Sequence, residues 1–90
     1  MGQVAETIEA KLKAAFEPIT LEIIDESHLH RGHAGAPEGG ESHFRAKIVS
    51  ELFEGLSRLD RQRRVNETLR EELAGPVHAF SAQTLTPGEA

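Results

Sequence analysis

The sequence predicts an α+β domain of order α-β-β-α-β, with a three-stranded mixed sheet and helices on one face. Three observations carry the prediction: an apolar residue at every fourth position from Val4 to Phe16, two runs of period-2 alternation at 19–23 and 44–48, and a capped helical stripe that ends at Gly75 and Pro76 before a further apolar run. Ninety residues bound the chain to a single domain, with a core from about residue 3 to 85 and a tail at 86–90.

Val4, Ile8, Leu12 and Phe16 share one face with Ala5 and Ala15 beside them, while Glu6, Glu9, Lys11 and Lys13 take the others, which makes an amphipathic helix. Pro18 ends it, because the residue before a proline is pushed out of helical geometry. Ile19, Leu21 and Ile23 alternate with Thr20 and Glu22 up to Asp25, a half-buried strand. From Asp25 to Phe44 no period of 2 or 3.6 holds, and four of the five histidines collect there among glycines. Such a long loop is usually functional or disordered.

Phe44, Ala46 and Ile48 alternate with Arg45 and Lys47, a second strand antiparallel to the first. Phe53 and Gly55 mark a turn, and Ser57 caps a helix whose third residue is Asp60, a relative of the capping box. Val65, Leu69 and Leu73 form its apolar stripe, and Gly75 with Pro76 ends it. Leu59 falls out of phase, which predicts a separate short helical piece at the first turn. Glu71 and Glu72 stand at the helix end that disfavours acids and are expected to be exposed. Val77 to Leu85 reads as the third strand. A strand-helix-strand connection of this length gives parallel strands with a right-handed crossover. Strands two and three then start at the end of the sheet where strand one finishes, and His78 comes beside the mouth of the histidine loop.

A net charge of -5 disfavours non-specific adhesion to polyanions. With no cysteine, the chain has no disulfide, no thiol nucleophile and no thiolate ligand of its own. No apolar run approaches the roughly 20 residues that span a bilayer, and the opening residues resemble neither a signal nor a transit peptide. The expectation is a cytoplasmic chain without a membrane role. No nucleophile-base-orienter set is recognisable among the serines and the two aspartates, so an enzyme is not expected.

Neutral imidazole is the commonest protein metal ligand, and His28-x-His30-x-x-His33 could offer three nitrogens to zinc, although the spacing lacks the rigidity of a helical pair. His43, at the start of a strand, is assigned packing or capping. Gly32-His33-Ala34-Gly35 matches the G-x-x-G of nucleic-acid-binding KH domains, but here it would join two strands rather than two helices, so the match is read as accidental. Arg58, Arg61, Arg63 and Arg64 form a basic cluster around Asp60. Cations near a helix N-terminus oppose the macrodipole. The cluster is therefore a solvated, partly ion-paired face, a surface for a protein partner, or a set of phosphate contacts.

Asp-Glu-Ser-His at 25–28, Glu-Ser-His-Phe at 41–44, Ile-Val-Ser at 48–50, Phe-Glu-Gly-Leu-Ser at 53–57, Arg-Gln-Arg-Arg at 61–64, Glu-Glu-Leu at 71–73 and Val-His-Ala at 77–79 together resemble the BolA family, over about residues 4–87. The resemblance implies a fold similar to the type II KH domain. It also implies partnership with monothiol glutaredoxin, the two proteins sharing a 2Fe-2S cluster in iron-sulfur maturation and trafficking or in iron homeostasis. Some members are described as DNA-binding regulators, so the alternative is a transcriptional regulator using the arginine-rich helix. Carried onto this chain, the resemblance makes His78 a cluster ligand. The second ligand is His33 when counted back from Glu-Ser-His-Phe, or His30 when counted forward from Asp-Glu-Ser. Two histidines can replace two thiolates on one iron. The sulfurs that this chain lacks would then come from a glutaredoxin cysteine and from glutathione. Gln62 departs from the pattern, since many members have histidine there.

Overall fold

The computed structural model describes residues 2–26 and 42–90. Helix α1 (Gln3–Phe16) leads into β1 (Thr20–Asp25), followed by β2 (His43–Val49), a 3-10 turn (Glu51–Phe53), α2 (Arg58–Thr68), α3 (Arg70–Ala74) and β3 (Ala79–Leu85). The sheet order is β1-β2-β3, with β1 antiparallel to β2 and β2 parallel to β3. This is the mixed α+β sheet that the alternation and the crossover rule predict.

Register separates the two faces. Leu21 pairs with Ile48 and Ile23 with Ala46, while Phe44, Ala46 and Ile48 pair with Phe80, Ala82 and Thr84. Side chains alternate along a strand, so these residues share one face. Phe44, Ala46 and Ile48 are buried there in one cluster with Ala5, Ile8, Leu12 and Phe16 of α1, Val65 of α2 and Leu69 between α2 and α3. The other face carries Glu22 opposite Lys47, and Ile24 opposite Arg45.

Local chemistry fixes the joints. Glu17 takes left-handed backbone (φ 45°, ψ 54°) and its N–H bonds to the carbonyl of Lys13, which closes α1 ahead of Pro18. The buried Ser50 hydroxyl donates to the Phe16 carbonyl at 2.5 Å and accepts from the Leu52 N–H at 3.1 Å. It ties the end of α1 to the turn that delivers Phe53 against Phe16. Gly55 sits at φ 81°, a backbone region that costs a residue without Cβ little. The Ser57 hydroxyl then accepts from the Asp60 N–H at 3.1 Å, and α2 begins at that cap.

Four expectations are corrected. The helical pattern between Ser57 and Gly75 is two helices, and the break falls at Leu69 (φ −102°, ψ 18°) rather than after Leu59; the Leu69 N–H is shared between the carbonyls of Val65 and Glu67. The break keeps Leu69 in the core while α3 turns Glu72 inward. Glu72 is therefore not exposed: it is 9 % accessible and meets the Lys11 ammonium at 2.8 Å, with Glu71 at 3.2 Å. The Glu72 carboxylate raises the Lys11 pKa above its ordinary 10.5. The third strand starts at Ala79 rather than Val77, because Val77 is drawn into the core. Residues 86–90 do not trail away as a tail, since Glu89 folds back onto the Thr86 N–H at 2.8 Å and onto Arg61.

Candidate functional site

Parallel pairing brings the heads of β2 and β3 to one rim, with His43 opposite Ala79. Just ahead of β2, the Ser42 carbonyl accepts the N–H groups of His78 (2.7 Å) and Ala79 (3.2 Å). His78 is thus anchored by its backbone while its side chain stays exposed. The hydroxyl of the same buried serine lies 2.8 Å from His43 Nδ1. One residue therefore positions two imidazoles, whose ring centroids are 6.0 Å apart with their planes at 59°. The end of β1 reaches this rim too, through the Glu26 N–H on the His43 carbonyl at 2.7 Å. A hollow of about 190 Å³ opens beside it, lined by Glu26, His43, Phe44, Ala79, Phe80 and Ser81.

The topological expectation for His78 is met as far as the described residues reach: Glu26 and Ser42, which flank 27–41, both bond at the rim where His78 sits. His28, His30 and His33, with the Gly32–Gly35 segment, lie outside the described residues. His43, which the sequence places at the start of a strand, does head β2, and its nearness to the His78 ring is the feature that local sequence pattern did not show. Among the described residues no three His, Cys, Asp or Glu side chains converge to hold a metal ion, and no helix is long and apolar enough to cross a membrane.

The arginine cluster divides. Arg61 does not belong to a surface: it is 6 % accessible, with Nε donating to the Leu56 carbonyl at 3.1 Å and Nη1 to the Thr84 carbonyl at 3.2 Å and to Glu89 Oε1 at 2.6 Å. The cause lies in how α2 packs along the outer edge of β3. Edge carbonyls need donors, and Arg61 serves Thr84 while the Gln62 amide serves Ala82 at 2.8 Å. Arg58, Arg63 and Arg64 remain exposed. Arg58 stands 3.8 Å from Glu89 and Arg63 3.6 Å from Asp60. Arg58 and Gln62 also join Glu22, Ile24, Arg45 and Lys47 around a concavity of about 440 Å³ on the open face of the sheet.

The Arg61 guanidinium, with the Thr86 N–H, holds the Glu89 carboxyl down at about 2, against an ordinary 4.5. A carboxyl whose folded pKa lies below its unfolded one stabilises the fold above pH 4.5, and that contribution is lost as pH falls from 4.5 towards 2. Glu89→Gln is expected to flatten this part of the acid limb of a thermal-stability profile. An acid limb identical to that of the parent would show that the latch does not carry it.

Comparison with known proteins follows the same outline. The family model for BolA, "BolA-like protein", matches residues 12–89. The chain is 51 % identical over 88 residues to BolA-like protein 1 of Mus musculus, covering 98 % of this chain and 61 % of the mouse protein. It is 46 % identical over 83 residues to the DNA-binding transcriptional regulator BolA of Escherichia coli, covering 92 % of this chain and 75 % of that protein. The solved BolA domain of SufE1 from Arabidopsis thaliana superposes with a TM-score of 0.89 at 37 % identity, covering 100 % of this chain and 99 % of that one.

Proposed function

Because this chain belongs to the BolA family, we propose that it is a non-enzymatic adaptor that binds a monothiol glutaredoxin and helps to ligate a shared 2Fe-2S cluster, in iron-sulfur maturation and trafficking or in iron regulation. The observation that carries this reading is the donor set. An exposed imidazole, His78, is anchored by its backbone at the rim, and the chain has no cysteine.

That donor set fits half of a 2Fe-2S centre. His78 would hold one position, and His33, or His30 in its place, a second. Cysteine and glutathione thiolates from the partner side would fill the rest. The bound group supplies one-electron chemistry, at a potential that imidazole ligation raises relative to thiolates alone. The contribution of this chain is placement. Ser42 fixes where His78 leaves the sheet, and exposure leaves the imidazole accessible to a docking partner.

The test mixes the chain with glutaredoxin, iron, sulfide and glutathione and compares the visible spectra of the parent, His78→Ala and His33→Ala. His78→Ala is expected to abolish the mixed-ligand spectrum while its circular dichroism stays that of the parent, because the side chain is exposed. Parent-like spectra from both variants would overturn the ligand assignment.

A second reading is favoured by the name of the E. coli relative: a DNA-binding regulator contacting phosphates through the exposed Arg58, Arg63 and Arg64. It requires affinity that falls steeply with salt and that drops in an Arg63→Ala, Arg64→Ala double variant. Salt-insensitive binding, or binding untouched by the double change, removes it.

A further inference from the structure

We infer that the concavity on the open face of the sheet is a binding site for a small phosphoester, its phosphate held between Arg45 and Lys47 of β2 and its organic body resting on Ile24 of β1. None of these residues takes part in the cluster reading, which the inference goes beyond. Strand register builds the site. Ile24, Arg45 and Ser81 form one row across the three strands, and Glu22, Lys47 and Gln83 form the next. Side chains two apart along a strand leave the same face about 6.7 Å apart, and neighbouring strands lie about 4.8 Å apart, so long side chains from both rows reach a single phosphate. Arg58 of α2 walls the floor along β3, and the space enclosed is about 440 Å³. Small-molecule sites span roughly 300–1,000 Å³.

The chemistry of the lining selects an anion. Among the described residues Lys47 enters no ion pair and no side-chain hydrogen bond, although Glu22 stands opposite it in the ladder. Arg45 has one ion pair, from Nη2 to Glu26 at 3.3 Å, and it is exposed. Such a contact is worth little, and the guanidinium keeps donors for the two-point geometry that phosphate accepts. Ser81 and Gln83, both exposed, add neutral donors from the next strand. Charge also limits the size of the ligand. Glu22 and Glu26 stand on either side of Ile24, Glu89 lies 3.8 Å from Arg58, and the whole chain carries -5. A long polyanion laid across the sheet would run onto those carboxylates, whereas one phosphate or diphosphate fits between them. Ile24 sets the body of the ligand. It is a large aliphatic side chain left 53 % accessible beside Arg45, and an organic group laid on it removes apolar surface from water.

The test titrates the purified chain by calorimetry with pyrophosphate, ribose 5-phosphate and adenosine diphosphate, at low salt where screening is weak. One-to-one binding is expected, with an ester tighter than pyrophosphate; which ester is the tighter identifies the body that Ile24 meets. Lys47→Ala should weaken binding at least about tenfold, as loss of a charge-assisted bond does. Gln83→Glu, at an exposed position, should do the same by setting a carboxylate beside Lys47, and it keeps the test decisive if Lys47→Ala melts early. Glu22→Gln should tighten binding, and Ile24→Ala should bring the ester level with pyrophosphate. Arg70→Ala, exposed on α3 and outside the concavity, should bind like the parent. The site is overturned if no probe binds, if the esters bind no tighter than pyrophosphate, if Lys47→Ala and Gln83→Glu both keep the parent affinity, or if Arg70→Ala loses as much as they do. The assay contains no iron, sulfide or glutaredoxin, so its failure and failure of the cluster reading are separate results.

Discussion

Replacing Phe53 by alanine is expected to destabilise the fold by about 3–5 kcal/mol, the usual loss when a large aromatic is deleted from a packed core. Phe53 is 0 % accessible, and its ring lies 5.0 Å from that of Phe16 at 42°, within the tilted range in which aromatic pairs attract. The pair closes the core where α1 ends and the 3-10 turn begins. Backbone is tied there by the Ser50 hydroxyl on the Phe16 carbonyl, by the Ile19 N–H on the Val49 carbonyl and by the Ser50 N–H on the Leu85 carbonyl, so little can move in to fill the void. A domain of this size typically has only about 5–15 kcal/mol in total. The melting temperature should therefore fall by more than about 12 °C. Leu52→Ala is the control, because the neighbouring side chain is exposed and should cost within about 0.5 kcal/mol. Equal melting temperatures for the two variants would show that the aromatic pair does not hold the core.

Phe53 also shows what the sequence made legible and what it did not. Amphipathic period and strand alternation located the elements because each reports a burial pattern set within a few residues: Ile8 and Leu12 are buried for the reason their spacing states, and Ser57 caps α2 as its distance from Asp60 predicts. Strand direction followed from connection length, which was enough to bring His78 to the rim where Ser42 and Glu26 meet. The failures share a cause. Arg61 and Glu72 are charged residues buried by partners distant in sequence, Glu89 and Lys11, and no local pattern announces such a pairing. The break at Leu69 has the same origin, since it is the docking of α3 on α1 that favours two short helices over one. The nearness of His43 to His78 was not legible either, because it arises across a parallel pairing of distant segments and not within a local pattern.

Arg61→Ala is expected to cost about 2–4 kcal/mol, because it leaves carbonyls without donors and breaks an ion pair at a buried guanidinium. Arg61 joins three separate pieces of chain: the turn at Leu56, the edge of β3 at Thr84 and the C-terminal Glu89. Its loss should free the C-terminal segment as well as lower the melting temperature, by roughly 10–25 °C. Arg61→Lys should rescue only in part, since a single ammonium cannot reproduce a planar fork that spans two directions. Arg63→Ala and Arg64→Ala, on the exposed side of the same helix, should leave melting within about 2 °C, as surface substitutions usually do. This contrast decides how any binding experiment on the helix is to be interpreted. Loss of partner or nucleic-acid binding in Arg61→Ala reports unfolding unless Arg63→Ala and Arg64→Ala lose it too, whereas loss confined to those two reports contact. If Arg61→Ala melted like the parent, the guanidinium would not be the latch its bonds describe.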